Sequence, residues 1–417
     1  MTHGGQVGFH KSLKMWFKRG SRLLPGREVG KRNVVFVAVK AGASDYYRGW
    51  VPTCAINENS KKVKAICVQN VTRDIVEWGD VFIWLKPAHT DDGALAAATL
   101  AKQSKKPVLI DMDDNVEMVL KTNPAEKKIT QGVVLDNFRT WITYCDGVVT
   151  TNGTLCGYYE DKFGKKTWLV PNGLLLSQMP QQPRHDFNDG RVRLVWQGGQ
   201  SHFDDLKMVA GAVRRVRETL GRGVKVSIMG FDGVMYRRRQ RVRIDGAKKK
   251  KVEDVIKVMD AGIECDESFE PMVLDDYYAF LRKKSFDIGI CPLIDNEFNR
   301  CKSNLKWLDY TWAGIAVVAS DVGPYRQTME PHRDAVLVPN TEDAWVEAIV
   351  QVARCKDLRQ KLVANAWEHV KTYYDAAAIV PKWEKVVWDA RSNYSGVRAF
   401  FGGMFESIKS RFVKPAK

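Results

Sequence analysis

Short apolar runs with the composition of buried strands recur along the chain, and helix-length segments separate them. Continuous apolar strands that alternate with helices are typical of a parallel sheet covered by helices on both faces. The pattern therefore predicts an α/β fold. The first runs are RNVVFVAV (32–39), VKAICV (63–68), DVFIWL (80–85), PVLIDM (107–112), DGVVTT (146–151) and KTWLVP (166–171).

The alternation lapses near residues 172–192, where Pro, Gln, Asn and Asp are frequent, as in an interdomain linker. A second series of apolar runs then begins, and helical segments follow it near 342–374 and 376–393. The second series consists of RVRLVWQ (191–197), VKVSIMG (224–230), FDIGICPL (286–293), IAVVAS (315–320) and AVLVP (335–339).

The two series predict two Rossmann-like domains, at 33–180 and 181–375. A basic extension (1–32) precedes them, and a helix with a basic aromatic tail (376–417) follows, with the helix crossing back to the first domain. Ligands of open parallel sheets bind beyond the carboxyl ends of the strands. Two facing sheets therefore predict an interdomain cleft that is lined by strand-to-helix loops.

The net charge of +16 is concentrated in three segments, 11–32, 237–251 and 391–417. A basic periphery indicates contact with a polyanionic surface, although a solvated charge run remains the alternative. No apolar run is long enough to span a bilayer, no signal peptide is recognisable, and the eight cysteines form no CxxC pair. We therefore expect a cytoplasmic protein with reduced thiols. The predicted polyanion contacts are Arg237, Arg238, Arg239, Arg241, Lys249 and Lys250.

The segment FNRCKSNLKWLDYTWAG (298–314) places cations at the start of a predicted helix, where they oppose the helix dipole unless an anion binds. Helical spacing brings Lys302, Lys306 and Asp309 into one arc, and Ser303 is the expected N-cap. The lysines and the free amides of the first turn predict a diphosphate site, with Asp309 available to a ribose diol. An amphipathic helix with a charged solvent face is the alternative. The predicted site residues are Arg300, Lys302, Ser303, Asn304, Lys306 and Asp309.

The wider segment IGICPLIDNEFNRCKSNLKWLDYTWAGIAVVASDVGPY resembles the donor-binding segment of retaining nucleotide-sugar glycosyltransferases of GT-B fold, family four in particular. In this resemblance Asp309 corresponds to the family's second acidic residue, and Ala316 stands where proline is usual. Cys301 stands where the first acid, which contacts sugar hydroxyls in the family, is expected. The resemblance implies retaining transfer from a nucleoside-diphosphate sugar, with lysines gripping the phosphate, and leaves the sugar open.

The segment LVWQGGQSHFDDL (194–206) resembles the first strand and loop of the family's second domain. The resemblance implies that Gly198 and Gly199 allow close approach of the backbone to phosphate. It also implies that His202 and Asp205 lie near the nucleotide.

Two further matches extend the resemblance over about residues 34–375. LVPNGL (169–174) resembles the end of the family's first domain, and AGASDYYRGW (41–50), with Gly42, resembles its first glycine-bearing loop. Arg48 in that loop is expected to complete a clamp on the diphosphate when the domains close. GT-B enzymes resemble one another in neutralising this phosphate with side-chain cations and helix amides. The resemblance therefore implies no metal and no cofactor beyond the nucleotide sugar.

The acidic loop in VLIDMDDNVEM (108–118) resembles the metal-binding DxD of the single-domain glycosyltransferases through Asp111, Asp113 and Asp114. Because two sheets are predicted here, we interpret the loop as one that orients acceptor hydroxyls, and we predict no metal site. His89, which follows the strand at 80–85, is an acceptor-side candidate, with a structural histidine as the alternative. The predicted catalytic residues are Arg48, His89, Asp113 and Asp114.

Two acceptors fit the basic periphery. The insert at 237–251 fits duplex DNA with a hydroxymethylated base that is flipped out to react. The tail at 398–412 alternatively fits a membrane surface that carries a lipid-linked glycan. A non-catalytic protein that binds sugar nucleotides or nucleic acid remains the alternative of a different class. A dehydrogenase is excluded because no GxGxxG follows a predicted strand, and the sequence leaves the oligomeric state open.

Overall fold

The computed structural model describes residues 24–39, 42–89, 92–119, 133–179, 190–230, 265–272 and 274–401. Within these ranges it confirms the α/β fold, because the strands form two sheets of six, paired in parallel. The N-terminal sheet consists of β1 (Arg32–Val37), β2 (Val63–Val68), β3 (Val81–Leu85), β4 (Val108–Met112), β5 (Gly147–Thr150) and β6 (Thr167–Leu169). Their order across the sheet is β2-β1-β3-β4-β5-β6.

The C-terminal sheet has the order β12-β11-β10-β7-β8-β9, and its neighbouring strands also pair in parallel. The eleven predicted strands are confirmed, and β9 is the strand that the sequence pattern missed. The six strands are β7 (Val192–Gln197), β8 (Val224–Met229), β9 (Glu267–Phe269), β10 (Ile288–Cys291), β11 (Ala316–Ser320) and β12 (Val336–Val338).

Helices connect the strands on both faces of each sheet, as the apolar strands require. In the N-terminal half of the described chain they are α1 (Ala43–Asp45), which continues through a π-helical stretch (Tyr46–Trp50) into α2 (Val51–Asn59), then α3 (Arg73–Trp78), α4 (Asp92–Gln103), α5 (Val133–Tyr144) and α6 (Gly153–Phe163). In the C-terminal half they are α7 (Phe203–Met208), α8 (Ala210–Leu220), α9 (Leu274–Lys284), α10 (Glu297–Arg300), α11 (Leu305–Trp312), α12 (Gly323–Thr328), α13 (Glu342–Arg354), α14 (Lys356–Tyr373) and α15 (Ala376–Phe401).

The last helix returns to the N-terminal sheet, as predicted. Trp383 of α15 packs edge-on against Phe36 of β1, with ring centroids 5.1 Å apart. Glu384 of the same helix accepts a hydrogen bond of 2.7 Å from Ser60, at the end of α2. In the described ranges, no helix combines the length and the apolar character of a membrane span.

Close packing fixes α11 on the C-terminal sheet. Gly289 of β10 faces the ring of Tyr310, and a Cβ atom at Gly289 would overlap that ring. The missing side chain therefore lets α11 approach β10 closely. This packing decides where the residues of α11 lie relative to the carboxyl end of the sheet.

Candidate active site

The predicted helix near residue 305 is confirmed, but its start differs from the prediction. α11 has Asn304 as its N-cap, and the Asn304 side chain makes no capping hydrogen bond. Ser303 therefore precedes the helix and does not cap it. The first turn of any such helix leaves backbone amides without intrahelical acceptors, so this end of α11 is suited to an anion.

Of the two lysines of this segment, Lys302 is buried, and Lys306 is half-buried with a buried ammonium nitrogen. Lys302 is only 9% exposed, and its ammonium nitrogen lies 4.6 Å from the ring centroid of Phe298. The ammonium nitrogen of Lys306 lies 5.4 Å from the ring centroid of Trp196, on β7. Aromatic faces stabilise a cation only in part, so neither contact replaces an anionic partner.

Lys306 carries the least compensated charge of the site. Its ammonium nitrogen is buried, and it has no hydrogen-bond partner among the described residues. Burial lowers the pKa of Lys306 to about 8, although Asp205 and Cys291 raise it in part. An unpaired buried ammonium is costly, so an external anion would stabilise this arrangement.

His202 is held in one tautomer beside Lys302. Its Nδ1 lies 2.7 Å from Asp205, and its Nε2 lies 3.4 Å from the Lys302 ammonium nitrogen. Burial, Lys306 and Lys302 lower the pKa of His202 to about 3, so the ring is neutral at pH 7. Because an ammonium group can only donate, Nε2 accepts and Nδ1–H donates to the Asp205 carboxylate.

Asp205 in turn is fixed by the loop that follows β10 and by α10. Its second oxygen accepts 2.9 Å hydrogen bonds from the Ile294 amide and from Asn299 Nδ2. Burial by itself raises the pKa of Asp205, but the hydrogen bond from His202 and the nearby Lys306 outweigh burial and lower it. Asp205 is therefore an ionised support for His202. Asn299 was not predicted from the sequence.

The N-terminal domain contributes a lysine and two carboxylates. Lys86, which directly follows β3, has a positive φ of 46°. Its ammonium nitrogen lies 2.6 Å from Asp113 and 3.0 Å from Asp114. Burial alone raises the pKa of Asp114, but the charges of Lys86 and Lys302 outweigh burial and lower it. Asp114 therefore lies in the electrostatic field of the opposite domain. Lys86 was missed by the sequence analysis, although its strand-end position was a usable signal.

Three side-chain contacts join the domains close to Lys302 and Cys301. Cys301 is buried against the N-terminal domain, and burial raises the pKa of its thiol. The contacts run from Asn152 Nδ2 to the Lys302 carbonyl oxygen (2.6 Å), from Asn115 Nδ2 to Cys301 Sγ (3.8 Å) and from Gln327 Nε2 to Thr154 Oγ1 (2.9 Å).

Asp309 is not the open acceptor that the sequence predicted. It is buried, and its Oδ1 accepts from Tyr278 (2.7 Å) and from Tyr47 of the N-terminal domain (3.0 Å). Its Oδ2 accepts from Tyr277 (3.1 Å) and Gln197 (3.4 Å). Burial raises the pKa of Asp309 to about 6, although these donors lower it in part. The tyrosines gave no recognisable signal in the sequence.

The two arginines predicted for the site lie elsewhere. Arg48 is only 1% exposed, and its guanidinium forms a two-nitrogen contact with Asp111, at 2.7 and 2.9 Å, and donates to the Val170 carbonyl oxygen. Arg300 is half exposed and forms a two-nitrogen ion pair with Asp295, at 2.6 and 3.0 Å. Arg48 thus stabilises the N-terminal domain, and Arg300 lies at the solvent-exposed surface.

The predicted glycines and His89 have simpler settings. A Cβ atom at Gly198 would lie 2.6 Å from the Trp196 ring, so packing against Trp196 by itself requires a small residue there. Gly199 and Gly42 have open space around them, and Gly42 is the N-cap of α1. His89 ends the 3-10 turn that follows β3 and is half-buried.

The predicted polyanion contacts lie outside the described residues. The same holds for most of the basic extension and for the end of the aromatic tail. The predicted polyanion contacts are Arg237, Arg238, Arg239, Arg241, Lys249 and Lys250.

No protein-family model and no curated protein matches the chain. Solved structures do match. A glycosyltransferase from Rickettsia africae has a TM-score of 0.55 at 11% identity, over 87% of this chain and 99% of that protein. HepE of Anabaena, in complex with UDP and glucose, has a TM-score of 0.56 at 10% identity, over 86% of this chain and all of HepE.

A third similar structure is TarM, with a TM-score of 0.52 at 13% identity, over 74% of this chain. The chain spans about half of TarM, 54% of its length. At such low identities the similarity establishes the fold alone. The chain has two Rossmann-like domains, the architecture of the GT-B glycosyltransferases, and Lys302 of its C-terminal domain lies near Asp114 of its N-terminal domain.

Proposed function

We propose that the protein is a glycosyltransferase that moves a sugar from a nucleoside-diphosphate sugar to an acceptor hydroxyl. The observation that carries the proposal is the buried ammonium of Lys306, which has no hydrogen-bond partner among the described residues, beside Lys302 at the start of α11. This arrangement fits a diphosphate. The fold similarity to glycosyltransferases, including HepE with bound UDP, supports the same substrate class.

The chemistry requires stabilisation of the departing nucleoside diphosphate while positive charge develops on the sugar. Fixed positive charge at the leaving phosphate is usually the largest contribution to such a reaction. We assign that role to Lys302 and Lys306, and we assign to neutral His202 the orientation of Lys302. We propose that this charge comes from lysines and not from a metal, since the Lys86 ammonium already pairs with both Asp113 and Asp114.

We further propose that the reaction proceeds with retention, on the basis of the resemblance of residues 298–320 to the retaining family. Asp113, Asp114 and His89 lie on loops of the N-terminal domain and would face the acceptor. Before Asp113 or Asp114 could accept a proton from a hydroxyl, its contact with Lys86 would have to weaken. Acceptor binding in the cleft is the event that would cause this change.

The experiment that tests the proposal is incubation with labelled UDP-, GDP- and ADP-sugars. Release of free sugar in the absence of acceptor shows activation of the donor. Its loss in Lys302→Ala identifies the site. Binding of a nucleotide without hydrolysis or transfer to any acceptor would instead indicate the non-catalytic binding protein, which the occupied Asp309 carboxylate and Cys301 favour.

The basic segments support an acceptor on a polyanionic surface, and hence a cytoplasmic enzyme on DNA or at the inner membrane. DNA as acceptor predicts incorporation of sugar into hydroxymethylated duplex and binding that weakens steeply with salt. Neutralisation of basic residues in 237–251 should then abolish DNA binding. A lipid-linked acceptor instead predicts liposome flotation that depends on residues 398–412.

The affinity for UDP should fall as the pH rises through about 8. Lys306 has a pKa of about 8 in the free protein, and a bound diphosphate stabilises its charged form, so binding above this pH requires uptake of a proton. From linkage we expect a loss of about tenfold between pH 7 and pH 9, measured by titration calorimetry. Lys306→Arg keeps its charge and should flatten the dependence. An equal loss of UDP affinity in Lys306→Arg would show that the pH dependence does not come from Lys306.

A further inference from the structure

The carboxylate of Asp309 has a full set of donors inside the protein. Three tyrosine hydroxyls and one amide group donate to its two oxygens, two to each. A carboxylate offers about four lone-pair positions, so this set leaves no acceptor position open. A ribose diol could bind to Asp309 only by displacing one of these buried donors.

Among these donors, Tyr47 alone comes from the N-terminal domain. It lies in the π-helical stretch after α1, is only 3% exposed, and contacts the Tyr278 hydroxyl as well as Asp309. By contrast, Tyr277 donates to the same carboxylate from α9, which belongs to the C-terminal half. The two tyrosines thus make similar bonds, but only that of Tyr47 joins the domains.

A second contact supports this junction. Tyr46, the neighbour of Tyr47, stacks edge-on against it with ring centroids 5.1 Å apart, and its hydroxyl lies 3.7 Å from Met179 Sδ. The Met179 carbonyl oxygen accepts a 3.0 Å hydrogen bond from Trp312, the last residue of α11. The helix that carries Lys306 is therefore held to the N-terminal domain at two points, Asp309 and Trp312.

We infer that Tyr47 is a positioning residue that holds the N-terminal domain against α11 through Asp309, and that Asp309 serves as this anchor and not as the ribose acceptor. The anchor stands on the contacts alone, whereas the statement about ribose rests on the proposed function. Since Lys306 lies one turn before Asp309, the anchor would fix the diphosphate site relative to the acceptor domain.

Hydrogen exchange of the full chain, followed by mass spectrometry, tests the anchor without any substrate. The variants are Tyr47→Phe and its matched control Tyr277→Phe, each of which removes one hydroxyl donor from Asp309. The reporter is the segment 149–156, which contains Asn152, the partner of the Lys302 carbonyl oxygen. We expect exchange there to rise severalfold in Tyr47→Phe and to stay unchanged in Tyr277→Phe.

Asp309→Asn provides a second variant, because loss of the charge weakens every bond to the carboxylate. It should reproduce the faster exchange at 149–156. Unchanged exchange in Tyr47→Phe, or an equal rise in Tyr277→Phe, would overturn the anchor, because the tyrosines would then only pack the C-terminal domain.

The ribose statement is tested with UDP and 2′-deoxy-UDP as probes. We expect the ratio of their dissociation constants to agree within about twofold between the wild type and Asp309→Asn. If the ratio falls to one in Asp309→Asn but not in the wild type, Asp309 binds the ribose 2′-hydroxyl. This result would overturn the inference that Asp309 is not the ribose acceptor. If UDP does not bind the wild type, the proposal that the donor is a UDP-sugar fails. The hydrogen-exchange experiment still tests whether Tyr47 anchors the N-terminal domain to Asp309.

Discussion

Replacement of Lys302 or Lys306 by alanine should lower the turnover number for the donor sugar by about 10²- to 10³-fold in each case. The two ammonium groups are the cations at the start of α11. The negative charge on the departing diphosphate is greater in the transition state than in the bound donor. The loss should therefore appear in kcat as well as in KM. The measurement is the steady-state rate of donor hydrolysis. The donor is the nucleotide sugar that is identified by incubation with labelled UDP-, GDP- and ADP-sugars.

Arg300→Ala is the matched control, because it removes a cation from the same segment. Arg300 is half exposed and pairs with Asp295 at the surface, so we expect a change in kcat below about threefold, in keeping with the small contribution of surface ion pairs. Equal losses in all three variants would show that the segment acts through its general charge and would refute the specific role of the lysines.

Replacement of Lys306 should also change the stability of the protein, in the direction opposite to its effect on activity. Because burial lowers its pKa to about 8, its charged form disfavours the folded state at pH 7. Lys306→Met should therefore raise the free energy of unfolding by about 1–3 kcal/mol while it lowers activity. The gain should shrink between pH 8 and the usual lysine pKa of about 10.4, where the folded wild type has already lost the proton. A less stable Lys306→Met protein would indicate a structural role instead.

Asp111→Asn should destabilise the N-terminal domain by about 3–5 kcal/mol, the cost of leaving a buried cation without its counter-ion. The Arg48 and Asp111 side chains are 1% and 0% exposed, and their ion pair has a nitrogen–oxygen distance of 2.7 Å. Urea unfolding followed by fluorescence gives the change in midpoint. A two-domain chain can unfold in more than one step, so each transition should be fitted separately.

Two further variants make this result interpretable. Asp321→Asn removes a similar two-oxygen partner from Arg326 at the surface, where the side chains are 65% and 37% exposed, and should cost about 0–1 kcal/mol. The double variant Arg48→Met, Asp111→Leu removes both buried charges and should recover most of the lost stability. If Asp111→Asn costs no more than Asp321→Asn, the buried pair does not stabilise the domain.

The sequence correctly placed Lys302, His202 and Asp113 on segments that follow parallel strands. Strand ends in a parallel sheet meet at one edge, so these positions alone predicted that the three residues share a cleft. The same rule applied to Lys86 would have found it, because it directly follows β3. Its pairing with Asp113 and Asp114 was not visible, since the three residues lie on different loops.

The exact roles of the charged residues were less accessible. Arg48 and Arg300 have side chains of the kind that binds phosphate, yet each pairs with a carboxylate, Asp111 or Asp295. A sequence does not show whether an arginine binds such a carboxylate or a substrate. Gly198 has the signature of a phosphate loop, and the neighbouring Trp196 ring by itself also requires its small size. For the two arginines, a competing partner inside the protein decided the outcome.

The alternation of apolar strands and helices could be predicted from the sequence alone, and with it the two parallel sheets. That information is local, because each strand or helix is specified by neighbouring residues. The packing of distant elements is what brings the Tyr47 hydroxyl to Asp309, 262 positions away, and leaves the Lys306 ammonium buried with no hydrogen-bond partner among the described residues. The direction of a side chain and the competition for its hydrogen bonds depend on how distant elements pack, and no local pattern encodes them.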